Sequence, residues 1–336
     1  MFMKVNVFIT VDAEHSIGGA FSDQTLSPVG NDRRIFGKIG NKEYGIPLII
    51  EIARRYDLPL TFFVEVFSKS YFGEDETKKV CDYILDKGYE IQLHLHPLFL
   101  NFGRPNPKEL FYEATINSYN EDTQAEMIEA GKDILIRYGV KEPIAFRAGG
   151  FAANIDTLKA LRRNGFLIDS SLNRRYLGAP CMLNALDIND ICEVDGVWEL
   201  PITNFLEFSW LAGGRPKPLD INGVSFQEIK SVLEKASENG PGNVTILMHS
   251  FSFIQNSDVQ YQKMRTRWRV IQRFEKLCKF LANNQNTYIV RTIGTLSQDN
   301  LVIMNRKSNH VLPRVSTLPS MVRLVEQTIE RLGLRR

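Results

Sequence analysis

The first 295 residues alternate short β-branched, aromatic strings with amphipathic stretches, and this limits the chain to few architectures. The strings are KVNVFITV (4–11), LPLTFFVEV (58–66), YEIQLHLH (89–96), PIAFRA (143–148), FLIDSS (166–171), GVWELPIT (196–203), NVTILMHS (243–250) and TYIVRT (287–292). Each reads as a buried strand. Helical patterns are expected between them at 45–56, 77–88, 124–139, 155–165, 225–239 and 257–283. Gly88 and Gly139 close two of these helices, and Asn154 is placed to cap a third. Strands separated by helices form parallel sheets, because a parallel pair needs a long crossover. The expected fold is therefore α/β: a distorted (β/α) barrel of about seven strands, with a C-terminal helical extension. Residues 1–297 would form the barrel, and 298–336 a basic linker and an amphipathic helix. Met321, Leu324, Val325, Ile329 and Leu332 share one stripe of that helix.

Composition narrows the class. The 336 residues are 43% hydrophobic and 24% charged, as in an ordinary soluble domain. A net charge of +2 gives no argument for nucleic acid. The four cysteines have no metal-knuckle spacing and read as reduced thiols. No run approaches the ~18 apolar residues of a membrane span. The start, MFMKVNVFITVDAE, reads as a strand broken by Asp12 rather than a secretion signal. A cytoplasmic location is the expectation. The basic C-terminal helix leaves peripheral contact with the inner membrane face, or an oligomer contact, open.

Three strings end in polar clusters: Asp12, Glu14 and His15 after the first, His94 and His96 in the third, and His249 in the seventh. Alternate residues of a strand share a face, so Asp12 pairs in direction with Glu14, and His94 with His96. A lone strand histidine is ordinarily a hydrogen-bonded core residue. Several such groups at the ends of different strands imply a shared pocket, because burying each alone is costly. Imidazoles and carboxylates at rigid positions suit a divalent cation. Barrels of this kind carry their chemistry at the C-terminal strand ends. His15 and His310 carry weaker signals, the latter in the tail.

In order, these strings resemble the NodB-homology polysaccharide deacetylases. TVDAE resembles the family's first motif, LPLTFFVEV with GYEIQLHLHP its second, FRAGG its third, GFLIDSS the strand before its fourth, and ILMH its last. The resemblance spans residues 4–295. It implies a hydrolase that removes an acetyl group from a sugar, with Asp12 as base, Arg147 holding Asp12 ionised, and His249 as acid. It further implies a divalent metal on Glu14, His94 and His96, with zinc expected and cobalt, nickel or manganese compatible. Leu247 would line the acetyl pocket and Gly149 would allow close backbone approach. Asp169 would orient His249 or cap a strand, and Trp198 would wall the pocket or pack in the core. The match departs from the family in three places, one being Gly149 where the family usually has proline. The acidic residues are split by Ala13, leaving open which binds metal, and the histidines are two apart rather than four. The expected substrate is an acetylated amino sugar, free in a glycan or linked to nucleotide or lipid. Another amide or cyclic amide is an alternative, as is an inactive barrel that binds glycan or a partner.

Overall fold

A computed structural model describes residues 4–106, 109–184, 186–207 and 214–331, the side chains of 329–331 excepted. Seven strands form one continuous parallel ladder: β1 (Val5–Ala13), β2 (Thr61–Glu65), β3 (Glu90–Leu95), β4 (Ala145–Ala148), β5 (Ile168–Asp169), β6 (Val197–Glu199) and β7 (Asn243–His249). Their order is β7-β1-β2-β3-β4-β5-β6, with Cys192–Val194 antiparallel beyond β6 and Tyr288–Val290 beside the start of β1. The ladder does not close between β6 and β7. There Thr203 and the segment 219–221 bridge the gap: the Thr203 N–H donates to the Thr245 carbonyl (3.2 Å), and the Ile221 N–H to that of Leu247 (2.9 Å). This wedge distorts the barrel.

Among the described residues, eight helices of eight residues or more complete the layers: α1 (Ile46–Arg55), α2 (Glu74–Asp86), α3 (Glu121–Arg137), α4 (Ile155–Arg163), α5 (Phe226–Asn239), α6 (Trp268–Asn283), α7 (Gln298–Asn305) and α8 (Thr317–Arg331). Asn154 caps α4 through a reciprocal capping box, as its sequence position predicts. Gly88 and Gly139 take positive φ just past α2 and α3, where a β-carbon would be strained.

Alternation along the strands splits the core. Val7, Ile9 and Val11 of β1 pack outward with Ile49, Ile84 and Leu277 of the helices. Phe8, Phe63, Ala145, Ile168 and Trp198 point inward and fill the lower barrel. Leu301 and Met304 of α7, with Ile293 and Leu296, join that inner cluster from below. Truncating such a buried aromatic to Ala costs about 3–5 kcal/mol. Above this apolar floor the interior is polar, and that is where the site lies.

Two expectations need correction. The helix expected over 257–283 starts only at Trp268; before it, Ile254–Asn256 pairs antiparallel with Met264–Thr266. Asp258 organises the intervening turn, accepting from the backbone N–H groups of Gln260, Gln262 and Lys263. The strand expected over 196–203 ends at Glu199, two residues before Pro201, which has no N–H to donate to a ladder. Trp198 belongs to the core, its Nε1 donating to Gln298 Oε1 (3.0 Å). All four cysteines are free thiols.

Candidate active site

Asp12 lies in register with His249 on one side and Phe63 on the other, at the C-terminal end of β1. Arg147 reaches it from β4. The guanidinium is fully buried and donates from Nη1 to Asp12 Oδ1 (2.5 Å), from Nη2 to Thr10 Oγ1 (3.1 Å) and Ser170 Oγ (2.9 Å), and from Nε to the Ser170 carbonyl (3.1 Å). Its carbon sits 4.1 Å from the Phe63 ring centroid. A buried ion pair persists only when its remaining polar atoms are satisfied, and here every guanidinium nitrogen has a partner. Asp12 is thereby held at one fixed orientation.

Glu14 follows the last β1 residue and is free of the ladder. Its Oε2 lies 2.7 Å from His96 Nε2 and 3.2 Å from His94 Nε2. Among the described residues these three form the cluster able to hold a metal, their ligand atoms all within 4.8 Å of one another. His94 Nδ1 is 2.8 Å from the Arg147 carbonyl, which can only accept, so Nδ1 carries the proton. Nε2 then turns a lone pair toward a carboxylate oxygen. Two acceptors facing each other need a cation or a second proton between them, and a divalent ion fits that donor set. Burial opposes charge on the His94 ring, but the Glu14 hydrogen bond and the charges of Asp12 and Glu14 outweigh it and raise its pKa. Burial likewise opposes ionisation of Glu14, yet its bonds from His94 and His96, helped by Arg34, hold the carboxyl well below its usual range.

Arg34 was not singled out by its place in a polar loop. Its Nη2 donates to Glu14 Oε1 (2.8 Å) and its Nε to the Glu14 carbonyl (3.2 Å). The guanidinium lies over the Phe251 ring and donates to the Tyr261 hydroxyl. One carboxylate oxygen is thus fixed by Arg34 while the other faces the histidines. Glu65, also unremarked in the sequence, ends β2 and accepts from the N–H groups of Phe67 and Ser68. His15 is buried beside this cluster and bound to Asn31 Oδ1 (2.7 Å). Burial first, then the Arg34 charge, depress its pKa to about 4, so it is neutral. His310 lies far along the chain from these groups, its Nδ1 accepting from the Asn189 N–H.

His249 stands at the mouth, half-buried, with its N–H on Ser252 Oγ (2.8 Å) and its ring Nδ1 without a partner. A groove of about 610 Å³ opens beside it, lined among others by Asp220, Asn222, Arg267 and Gln327. Leu247, two residues earlier on the same face, packs with Phe151 and Ile202.

Two of the expected site residues do something else. Gly149 makes its close approach to a side chain of this cluster: a β-carbon there would sit 2.6 Å from His96 Cε1 and Nδ1. Asp169 is fully buried, accepts from Ser171 Oγ (2.6 Å) and faces Glu199 on β6. Glu199 accepts from the Leu172 N–H (2.9 Å). The remaining oxygens, Asp169 Oδ2 and Glu199 Oε2, have no other partner. Burial, followed by the Asp169 charge, lifts the Glu199 carboxyl well above its usual range, so one proton is shared and resides on Glu199.

No protein-family model matches the sequence, and no curated protein does. Among solved structures, the chain is similar to a candidate polysaccharide deacetylase from Mycobacterium smegmatis: TM-score 0.52, 18% identity, 95% of this chain and 96% of that one covered. The chain has the fold of the polysaccharide deacetylases. At this identity the likeness is one of fold. It is also similar to 4-alpha-glucanotransferase from Thermococcus litoralis, with TM-score 0.51, 11% identity and 98% of this chain against 46% of that one. The deacetylase fold therefore recurs inside a longer enzyme of other chemistry, and the site must carry the functional argument.

Proposed function

We propose that this protein is a metal-dependent hydrolase that removes an acetyl group from an amino sugar during surface polysaccharide assembly. The substrate would be a nucleotide- or lipid-linked intermediate or a glycan. One observation carries the reading: Glu14, His94 and His96 converge on a single point, while Asp12, two residues before Glu14, is locked to buried Arg147.

Glu14, His94 and His96 would hold the ion, zinc being the best suited to mixed N and O ligands, with cobalt, nickel or manganese compatible. When bound, the ion supplies Lewis-acid polarisation of the acetyl carbonyl and a water of lowered pKa. Asp12, held in place by Arg147, takes the proton of the attacking water. His249, beside Asp12 in register, gives a proton to the departing amine. Leu247, with Phe151 and Ile202, offers an apolar wall for the acetyl methyl.

Metal analysis of the purified protein, paired with acetate release from acetylated amino sugars, tests this. The expected result is about one ion per chain, lost in the His94→Ala, His96→Ala double variant, and no acetate release by Asp12→Asn. Full activity in Asp12→Asn would sink the assignment of the base. An absence of bound metal would favour an inactive binding barrel.

A further inference from the structure

The C-terminal helix α8 is packed the wrong way round for a helix serving only its own domain. Its polar side faces inward: Arg323 bridges Glu207 and Glu228, Glu326 pairs with Arg273, and Ser320 Oγ donates to Glu228. Its apolar side faces out, with Leu318, Met321, Leu324 and Val325 between 55% and 72% exposed. Ile329 and Leu332, the other positions of the expected stripe, lie outside the described side chains. A surface helix ordinarily turns its apolar stripe to the core. Here ion pairs hold the helix in place and leave the stripe uncovered.

We infer that this stripe docks onto an anionic lipid surface. Two observations choose that occupant over a second copy of the chain. The stripe offers roughly 400 Å² of apolar side chain, about half of what a stable protein interface takes from each partner. The surrounding segment is basic: residues 306–336 carry seven Lys or Arg against Glu326 and Glu330, so two copies would repel while acidic headgroups attract. Among the described residues no helix is long and apolar enough to cross a membrane, so the contact is one of lying on the surface. Gln327, on the same helix, lines the groove at His249, and docking brings that groove to the lipid. The docking itself does not depend on the reaction proposed above.

The test is flotation of the full chain with phosphatidylcholine vesicles, with and without phosphatidylglycerol, at low and high salt. Binding is expected only to the anionic vesicles, weakening with salt. It should fall at least about tenfold in a Leu324→Glu, Val325→Ser variant that keeps its circular dichroism spectrum. Ile136→Glu, an equal charge change on exposed α3, should bind as wild type. No flotation with anionic vesicles at low salt, or unchanged flotation of the double variant, overturns the inference. A dimer in sedimentation that the double variant dissolves assigns the stripe to a second copy instead.

Discussion

Gly149 leaves the space that the His96 ring fills; a β-carbon at that position would stand 2.6 Å from His96 Nδ1. The ring it admits is the one closest to Glu14, at 2.7 Å. Gly149→Ala is therefore expected to push His96 away from Glu14 and, because the β-carbon would also stand 2.7 Å from the Leu95 carbonyl oxygen, to strain the end of β3. Metal affinity, read by chelator competition, should drop about 10- to 100-fold, as for changes that misorient a ligand. Unchanged affinity would mean the ring has room to tilt.

Arg147 donates to Asp12, and it also ties β1 to Ser170 after β5. Arg147→Met strands a buried carboxylate and should cost about 3–5 kcal/mol in urea unfolding, with activity lost. Arg147→Lys keeps the charge without the fork, so it should recover part of the stability and little of the activity. Equal stability of the Met and wild-type proteins would refute the buried-pair argument.

Arg34 shares Glu14 with the histidines. Removing it in Arg34→Ala frees the carboxylate to turn, and metal affinity is expected to fall about tenfold. Arg34→Lys should restore part of it. Tighter metal binding in Arg34→Ala would show that Arg34 competes with the ion rather than aiming its ligand.

The Glu199 and Asp169 pair has a pH signature. Glu199 keeps its proton in the folded state to well above the ordinary carboxylate range. The unfolded chain releases that proton near pH 4.3, so stability is full below that value and declines as pH rises through the raised native pKa. Urea midpoints from about pH 5 to about pH 8 should show the decline. Glu199→Gln retains a donor to Asp169 without a titrating proton and is expected to flatten it. An undiminished slope in that variant would locate the titrating group elsewhere.

Much of this architecture is legible from residues 4–295. All seven barrel strands begin within strings whose β-branched and aromatic content marks them as buried. The helix α7 is not legible, because Leu301, Val302, Ile303 and Met304 run consecutively and show no helical period. The hairpin after His249 is obscured by a polar turn whose order comes from one side chain, Asp258.

For the site, the sequence by itself determined which groups stand at the strand ends and that alternate ones face the same way, because side-chain direction along a strand is local geometry. It left the two carboxylates interchangeable. The tertiary structure sets them apart: Asp12 is held in the ladder against Arg147, whereas Glu14, one residue past the strand, lies against His94 and His96. The partnerships of Arg34 with Glu14, Gly149 with His96 and Asp169 with Glu199 also arise only there. Each joins residues on different elements, and the spacing between elements follows from how the whole barrel packs and closes.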